Sequence, residues 1–145
     1  MAGYTRAGYT PAQAAALTGL PLAAVHKAID SQLIRPRATR SGAEALGLEL
    51  FAKASPSPAL TAVVAPRGLD SEAVLSTYST SHNITIAGGQ GEMKGQVFRL
   101  GHMGYVGDFD VITALAALEQ VLHELGHPVD FGAAVRAAQK VLAER

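Results

Sequence analysis

An arginine inside an apolar run is the first feature of this sequence that could do chemistry. Arg99 lies in residues 97–100, which follow a glycine-rich stretch containing Gly88, Gly89 and Gly91. A guanidinium pairs with a planar carboxylate through two parallel hydrogen bonds. A charged side chain in an apolar strand also needs a partner or a route to solvent. Arg99 is therefore a candidate carboxylate-binding residue; the alternative, which the residue alone does not exclude, is an arginine that reaches solvent from a sheet edge.

A second group of residues matches the H-E-x-x-H motif of zinc proteases. His123 and His127 stand in the positions of the two zinc ligands and Glu124 in that of the general base. Gly126, however, ends the helix where the second histidine must still be helical, and no later histidine supplies a third ligand. His123 and His127 are thus weak metal candidates, and we predict no metal site. A solvated helix end, with both histidines near its negative pole, is the better interpretation.

A third candidate is a histidine in the loop after the arginine run. His102 could act as a general base in principle. No nucleophile or carboxylate partner stands close to it in the sequence. A structural histidine with satisfied hydrogen bonds is the better interpretation.

Composition narrows the possible functions. The chain has 145 residues, 48% of them hydrophobic and 6% aromatic, so alanine and leucine must form most of one core. Twelve basic and twelve acidic side chains give a net charge of zero, which leaves no global attraction to nucleic acid. The absence of cysteine excludes disulfides and thiolate chemistry. No apolar run approaches a membrane span and no signal-peptide pattern opens the chain, so we expect a cytoplasmic protein without membrane contact.

Capping and breaking residues predict a helical hairpin at the N-terminus. Thr10 is a good N-cap, with Gln13 at the capping-box position, and Gly19 ends the first helix. Pro21 begins a second helix, which we expect Pro36 to stop.

The remaining two thirds of the chain mix short strands and helices. Residues 48–52 and 61–65 read as strands, a helix capped by Asp70 or Ser71 follows, and its polar end at residues 78–83 is expected to fray. Two strands flank the glycine-rich stretch, and Asp108 or Asp110 opens a helix over residues 109–125. Its apolar stripe comprises Val111, Leu115, Leu118, Leu122 and Leu125, and a last helix presents Val135, Ala138 and Val141 or Leu142. This order predicts an α+β fold: the N-terminal helical hairpin plus a two-layer sandwich with a largely antiparallel sheet.

Residues 37–145 resemble the C-terminal small domain of class V aminotransferases, the pyridoxal-phosphate (PLP) enzymes of the alanine–glyoxylate and serine–glyoxylate type. The motif AGGQG followed by FRLGHMG carries the resemblance most specifically. It implies that Arg99 binds the substrate α-carboxylate. It also implies that the PLP lysine and its acidic partner belong to a large domain without a counterpart here. We therefore expect a non-catalytic binding domain that binds no cofactor alone, and PLP only if a separate large domain is supplied.

Residues 9–37 resemble the helix-turn-helix of MerR-like and excisionase-like DNA-binding domains and of some antitoxins. The resemblance implies DNA contacts from His26 and Lys27 on the second helix and from Arg35 and Arg37 after it. It makes a small DNA-binding regulator, or the antitoxin of a toxin–antitoxin pair, the alternative function. A cap packed on the second domain is the simpler interpretation of the hairpin.

Together the two resemblances divide the chain into residues 1–36 and 37–145, an apparent mosaic. The sequence leaves open whether it is a natural fusion, a degraded gene, or an engineered or generated mosaic. The expected partners are a toxin or a PLP-domain subunit, possible DNA and a second copy in a homodimer.

Overall fold

The hairpin at the N-terminus begins with a helix whose ends follow the expected caps. A computed structural model describes residues 8–144, apart from the side chains at positions 28 and 30–32. Helix α1 spans Pro11–Thr18. The Thr10 hydroxyl accepts from the Gln13 amide at 3.2 Å, and the Thr10 amide donates to the Gln13 side chain at 2.8 Å. Gly19 ends the helix in the left-handed conformation, with φ of 69°. The predicted capping box and glycine stop are both confirmed.

The second helix, α2, spans Leu22–Ala45 and runs through Pro36. The predicted helix stop at Pro36 is therefore wrong. A proline in a helix removes one backbone hydrogen bond, but tertiary packing can outweigh that loss. Here the Pro36 ring is fully buried, and the hydroxyl of Thr39 donates to the carbonyl of Arg35 at 3.0 Å across the same turn. The helix is continuous at residue 36, so no end of a helix marks a boundary there. The division of the chain into residues 1–36 and 37–145 stays a prediction.

Three antiparallel strands form one sheet. Strands β1 (Leu60–Val64), β2 (Ala87–Gly88) and β3 (Val97–Gly101) lie in the order β1-β3-β2. The strand expected over residues 48–52 shortens to a single bridge between Leu50 and Val63. It cannot extend further because a run of bends and the two prolines of residues 55–58 lead the chain away from the sheet.

Three helices complete the fold. Helix α3 spans Ser71–His82, α4 spans Asp108–Glu124 and α5 spans Ala133–Leu142. The Asp70 side chain caps α3 by accepting from the Glu72 amide at 2.9 Å. The polar end of α3 is helical through His82, where Tyr78 is fully buried and its hydroxyl donates to the Ala114 carbonyl at 2.7 Å.

The apolar stripe of α4 forms the centre of the core. Val111, Leu115, Leu118 and Leu122 are buried as the periodicity predicted, whereas Leu125, just past the helix end, is only partly buried. The core lies between this helix layer and one face of the sheet. The observed architecture confirms the predicted α+β fold with an antiparallel sheet. No helix of the described chain is long and apolar enough to cross a membrane.

A buried carboxylate joins α4 to α5. Glu119 is 4% exposed, and its oxygens accept from the backbone amides of Gly132 at 2.7 Å and Ala134 at 2.9 Å. These amides stand at the first turn of α5, whose unpaired N–H groups and positive pole favour a negative charge. Glu119 therefore caps α5 from another helix, a contact that the helix periodicity alone did not reveal.

Candidate carboxylate-binding site

The sheet separates Arg99 from the hydrophobic core. Its neighbours Phe98 and Leu100 are buried among the core residues, 0% and 4% exposed, whereas Arg99 is only partly buried. Successive side chains of a strand point to opposite faces. Arg99 therefore lies on the face opposite to the one that packs in the core. Its direct neighbours across the sheet are Ala62 in β1 and Ala87 in β2, which share that face with it.

One hydrogen bond orients the guanidinium of Arg99. Its Nε donates to the carbonyl oxygen of Gly88 at 2.7 Å. None of the ion pairs between described residues involves Arg99. Since Nε uses one of the five N–H donors, the two Nη groups keep theirs for another acceptor. The arrangement suits a bidentate carboxylate. The structure thus leaves open the carboxylate-binding role that the sequence predicted for Arg99.

His102, just beyond β3, joins α2 to the sheet. Its Nε2 lies 2.8 Å from the Thr61 hydroxyl, and its Nδ1 lies 3.5 Å from the Thr39 hydroxyl. Because the Thr39 hydroxyl donates to the Arg35 carbonyl, it can only accept from His102. A proton on Nδ1, with Nε2 accepting from Thr61, satisfies both contacts. Burial, helped by the positive charge of Arg40, lowers the pKa of His102 to about 4. His102 is a neutral structural histidine, as the sequence indicated.

Comparisons with known proteins connect this site to one group of enzymes. No family model matches the sequence. A soluble hydrogenase small subunit from Synechococcus sp. is 49% identical over 110 residues, and an uncharacterized aminotransferase from Methanocaldococcus jannaschii is 41% identical over 107 residues. The crystal structure of ureidoglycine–glyoxylate aminotransferase from Bacillus subtilis superposes with a TM-score of 0.75 at 30% identity. Apart from the hydrogenase subunit, these relatives are named as aminotransferases, and they support the resemblance to the class V enzymes.

The match covers most of this chain but only the small C-terminal part of each relative. The aligned segment is 74% of this chain and 28% of the Synechococcus protein, and 73% and 28% for the Methanocaldococcus protein. The superposition covers 85% of this chain and 34% of the Bacillus enzyme. The chain thus spans about a third or less of the length of these relatives. The helix-turn-helix and antitoxin resemblance finds no support in these comparisons.

The lysines of the chain do not form a PLP site among the described residues. A PLP lysine needs an enclosed site and an acidic partner for the pyridine nitrogen. All four lysines are exposed, and Lys53 is paired with Glu49 at 2.9 Å on the surface. The others are Lys27, Lys94 and Lys140. These residues therefore do not fit the cofactor.

Glu124 and His123 of the H-E-x-x-H motif make contacts with neighbouring elements. Glu124 accepts from the Ser81 hydroxyl at 2.8 Å and pairs with His82 Nε2 at 2.9 Å, which links the end of α4 to α3. His123 meets the ring of Phe131 edge to face, with centroids 5.2 Å apart. The described residues contain no cluster of three or more metal-ligating side chains. The structure therefore lends no support to the weak metal candidates His123 and His127.

Two of the four DNA-contact candidates are held in ion pairs. Arg35 pairs with Asp108 at 3.0 Å, and Arg37 pairs with Glu144 at 2.6 Å. His26 and Lys27 are exposed on the first half of α2. The two arginines thus join α2 to α4 and to the residues after α5, and their charges are partly neutralised by carboxylates.

Proposed function

We propose that this chain supplies the small-domain part of a class V aminotransferase, in which Arg99 binds the α-carboxylate of the substrate. The observation that carries the proposal is the placement of Arg99. It lies on the sheet face opposite to the core, its Nε is held by the Gly88 carbonyl at 2.7 Å, and its two Nη groups remain for a ligand. The aminotransferase relatives supply the reaction class. The PLP-binding part of the enzyme would lie outside residues 8–144, in the same polypeptide or in a partner subunit.

The role of this chain in the reaction is to bind and orient the substrate. PLP, when bound, supplies the electron sink for amino-group transfer. Arg99 would hold the substrate carboxylate in a fixed plane, because two parallel N–H···O bonds restrict both distance and rotation. A substrate held by its carboxylate presents its α-carbon in one orientation, and such positioning accounts for a large share of enzymatic rate enhancement.

Arginine side-chain NMR on the full chain tests carboxylate binding directly. Glyoxylate, the co-substrate named for the Bacillus relative, is titrated into the ¹⁵N-labelled protein. We expect its addition to shift the Nε–H signal of Arg99 in a saturable manner and to leave that of exposed Arg136, the internal control, almost unchanged. Arg99→Lys should weaken binding because a single ammonium cannot form the two-pronged contact. Equal shifts at both arginines would contradict the proposal.

A complementation assay then tests the reaction class. The full chain is mixed with the Bacillus aminotransferase truncated before its matching C-terminal segment. Recovered transamination that depends on Arg99 would support the proposal. The chain without such a partner should show no transaminase activity, and incubation with PLP and borohydride should leave no lysine covalently modified. Turnover of an amino acid by the chain alone would contradict this expectation.

DNA binding remains the second candidate, and two exposed residues favour it. His26 and Lys27 are exposed on the N-terminal half of α2, where a recognition helix would present them. The contact would be mainly electrostatic. Replacing Arg35 and Arg37 with alanine should lower the salt dependence of binding by about one to two units. Absence of DNA binding at low salt would remove this candidate, together with the regulator and antitoxin roles that depend on it.

For a chain that acts as part of an aminotransferase, the proposed partner is a PLP-domain subunit or a second copy of the chain in a homodimer. Sedimentation of the chain alone and with the truncated Bacillus enzyme would distinguish the two.

A further inference from the structure

The turn between β2 and β3 fixes the acceptor that holds Arg99. The Gly88 carbonyl accepts from Arg99 Nε at 2.7 Å, and the next amide, that of Gly89, donates to the Val97 carbonyl at 2.8 Å. The peptide group that joins Gly88 to Gly89 is therefore tied to β3 two residues before Arg99. Because the acceptor is anchored to the strand that carries the arginine, the direction of the guanidinium is set by the backbone of the turn.

Steric crowding makes glycine necessary at position 89. A Cβ atom there would lie 2.1 Å from the carbonyl oxygen of Met93 and 2.6 Å from its carbonyl carbon, inside the short helix Gly91–Met93. Gly89 is not among the residues with positive φ, so the requirement is for space and not for a left-handed backbone. Any side chain at position 89 must displace the turn, and with it the carbonyl that holds Arg99.

A second small residue leaves room for the arginine side chain. Ala87 stands directly opposite Arg99 in the register of β2 and β3. Directly opposed side chains lie close together on one face of a sheet. The Arg99 side chain must therefore pass beside the Ala87 methyl group to reach the carbonyl of Gly88, and Ala87 is itself exposed. A longer side chain at position 87 would occupy that path without altering the turn.

We propose that Ala87 and Gly89 are positioning residues for Arg99: they fix its Nε on the turn so that both Nη groups face the substrate carboxylate. They would set carboxylate affinity without touching the ligand. The inference rests on the proposed function of Arg99 and adds to it the residues that determine the geometry of binding. It also gives the AGGQG stretch a role beyond that of a tight turn.

Three variants of the full chain separate positioning from general disturbance. Gly89→Ala forces the turn to move, and Ala87→Leu fills the path of the arginine. Gly101→Ala is the matched control, because it lies in the same strand as Arg99 and an added Cβ there meets nothing within 4 Å. We expect solvent exchange of the Arg99 Nε–H, and the dissociation constant for glyoxylate, to rise about tenfold or more in the first two variants, as for loss of one charge-assisted hydrogen bond. Neither quantity should change in the control.

The outcomes distinguish the inference from the function on which it rests. If Arg99→Ala abolishes the glyoxylate-induced shifts of the backbone amides while Gly89→Ala and Ala87→Leu leave Nε–H exchange and affinity unchanged, the positioning role is overturned and the function of Arg99 stands. If Arg99→Ala leaves those backbone shifts intact, the proposed function itself fails. Should Gly89→Ala not fold, as judged from its backbone amide spectrum, Ala87→Leu decides by the same two measurements, since it leaves the turn untouched.

Discussion

The two faces of the small sheet differ in what their side chains do. On the covered face, Phe98, Leu100 and Val63 are buried together with the apolar stripe of α4. On the other face, Arg99 stands between Ala62 and Ala87, which are both small and not buried. On the covered face large apolar groups pack in the core. On the other face Arg99 itself is flanked by small groups, and Val97, two positions earlier, is buried at 3% exposure. We therefore expect substitutions at Arg99 to cost less stability than substitutions on the covered face.

Truncation of the α4 stripe should have the largest effect on stability. Leu118 is fully buried at the centre of the core. Leu118→Ala should lower the free energy of unfolding by about 2–5 kcal/mol, through lost burial and the cavity left behind. Urea denaturation followed by circular dichroism measures this loss. A change below about 1 kcal/mol would mean that the packing of α4 against the covered face of the sheet is not what stabilises the fold.

Removal of the Glu119 carboxylate, which caps α5, should have the next largest effect on stability. Glu119→Ala removes the acceptor of the Gly132 and Ala134 amides and leaves that of fully buried Ala134 without a partner. We expect a loss of about 1–3 kcal/mol. Glu119→Gln, which keeps one acceptor oxygen but loses the charge at the α5 pole, should cost less. Hydrogen exchange of the α5 amides should rise more than that of the α4 amides, and uniform changes along the chain would contradict a local capping role.

Acid should weaken the junction between α2 and the sheet. The folded pKa of His102 is lowered from 6.5 to about 4 by burial and by Arg40. The unfolded chain therefore takes up a proton at higher pH than the folded chain, and stability is lost as the pH falls from 6.5 to 4. Because His102 is only partly buried, we expect a loss on the order of 1–2 kcal/mol.

His102→Gln is the control for this titration. The stability difference between the wild-type chain and the variant should narrow over the same pH window, since only the wild-type chain carries this proton linkage. A constant difference between pH 7 and pH 4 would show that His102 does not titrate as its surroundings indicate.

Long periodic patterns and local caps could be predicted from the sequence because their causes lie within a few residues. The α4 stripe repeats over four turns, and the capping box of Thr10 and Gln13 needs only three positions. Pro36 misled the prediction, because the packing that keeps it helical comes from the rest of the fold. Glu119 lies four residues after Leu115, on the apolar stripe, and this was the available signal that its carboxylate is buried. Its partners lie beyond a loop, where the sequence alone gives no contact.

In the candidate site, too, features with local causes could be predicted from the sequence, and contacts between distant residues could not. Strand alternation and the resemblance to aminotransferases pointed to Arg99, because both depend on the types of neighbouring residues. The acceptor of its Nε could not be predicted, since Gly88 contributes a backbone carbonyl whose position depends on the register of β2 and β3. The ion pairs of Arg35 and Arg37 were equally hidden, because their acidic partners stand 73 and 107 positions away.

The smallest expected effect on stability is that of Arg99→Ala, and it tests the difference between the two faces most directly. Arg99→Ala should change the free energy of unfolding by less than about 0.5 kcal/mol, because the side chain has no ion-pair partner among the described residues and lies outside the core. Phe98→Ala, one position earlier on the covered face, should cost about 3–5 kcal/mol and is the matched control. The Arg99 variant should meanwhile lose its response to glyoxylate, which Phe98→Ala should retain wherever it remains folded. Urea denaturation and glyoxylate titration of both variants measure the two quantities. If Arg99→Ala proved as destabilising as Phe98→Ala, the arginine would serve the fold, and the division of the sheet into a stabilising and a binding face would be wrong.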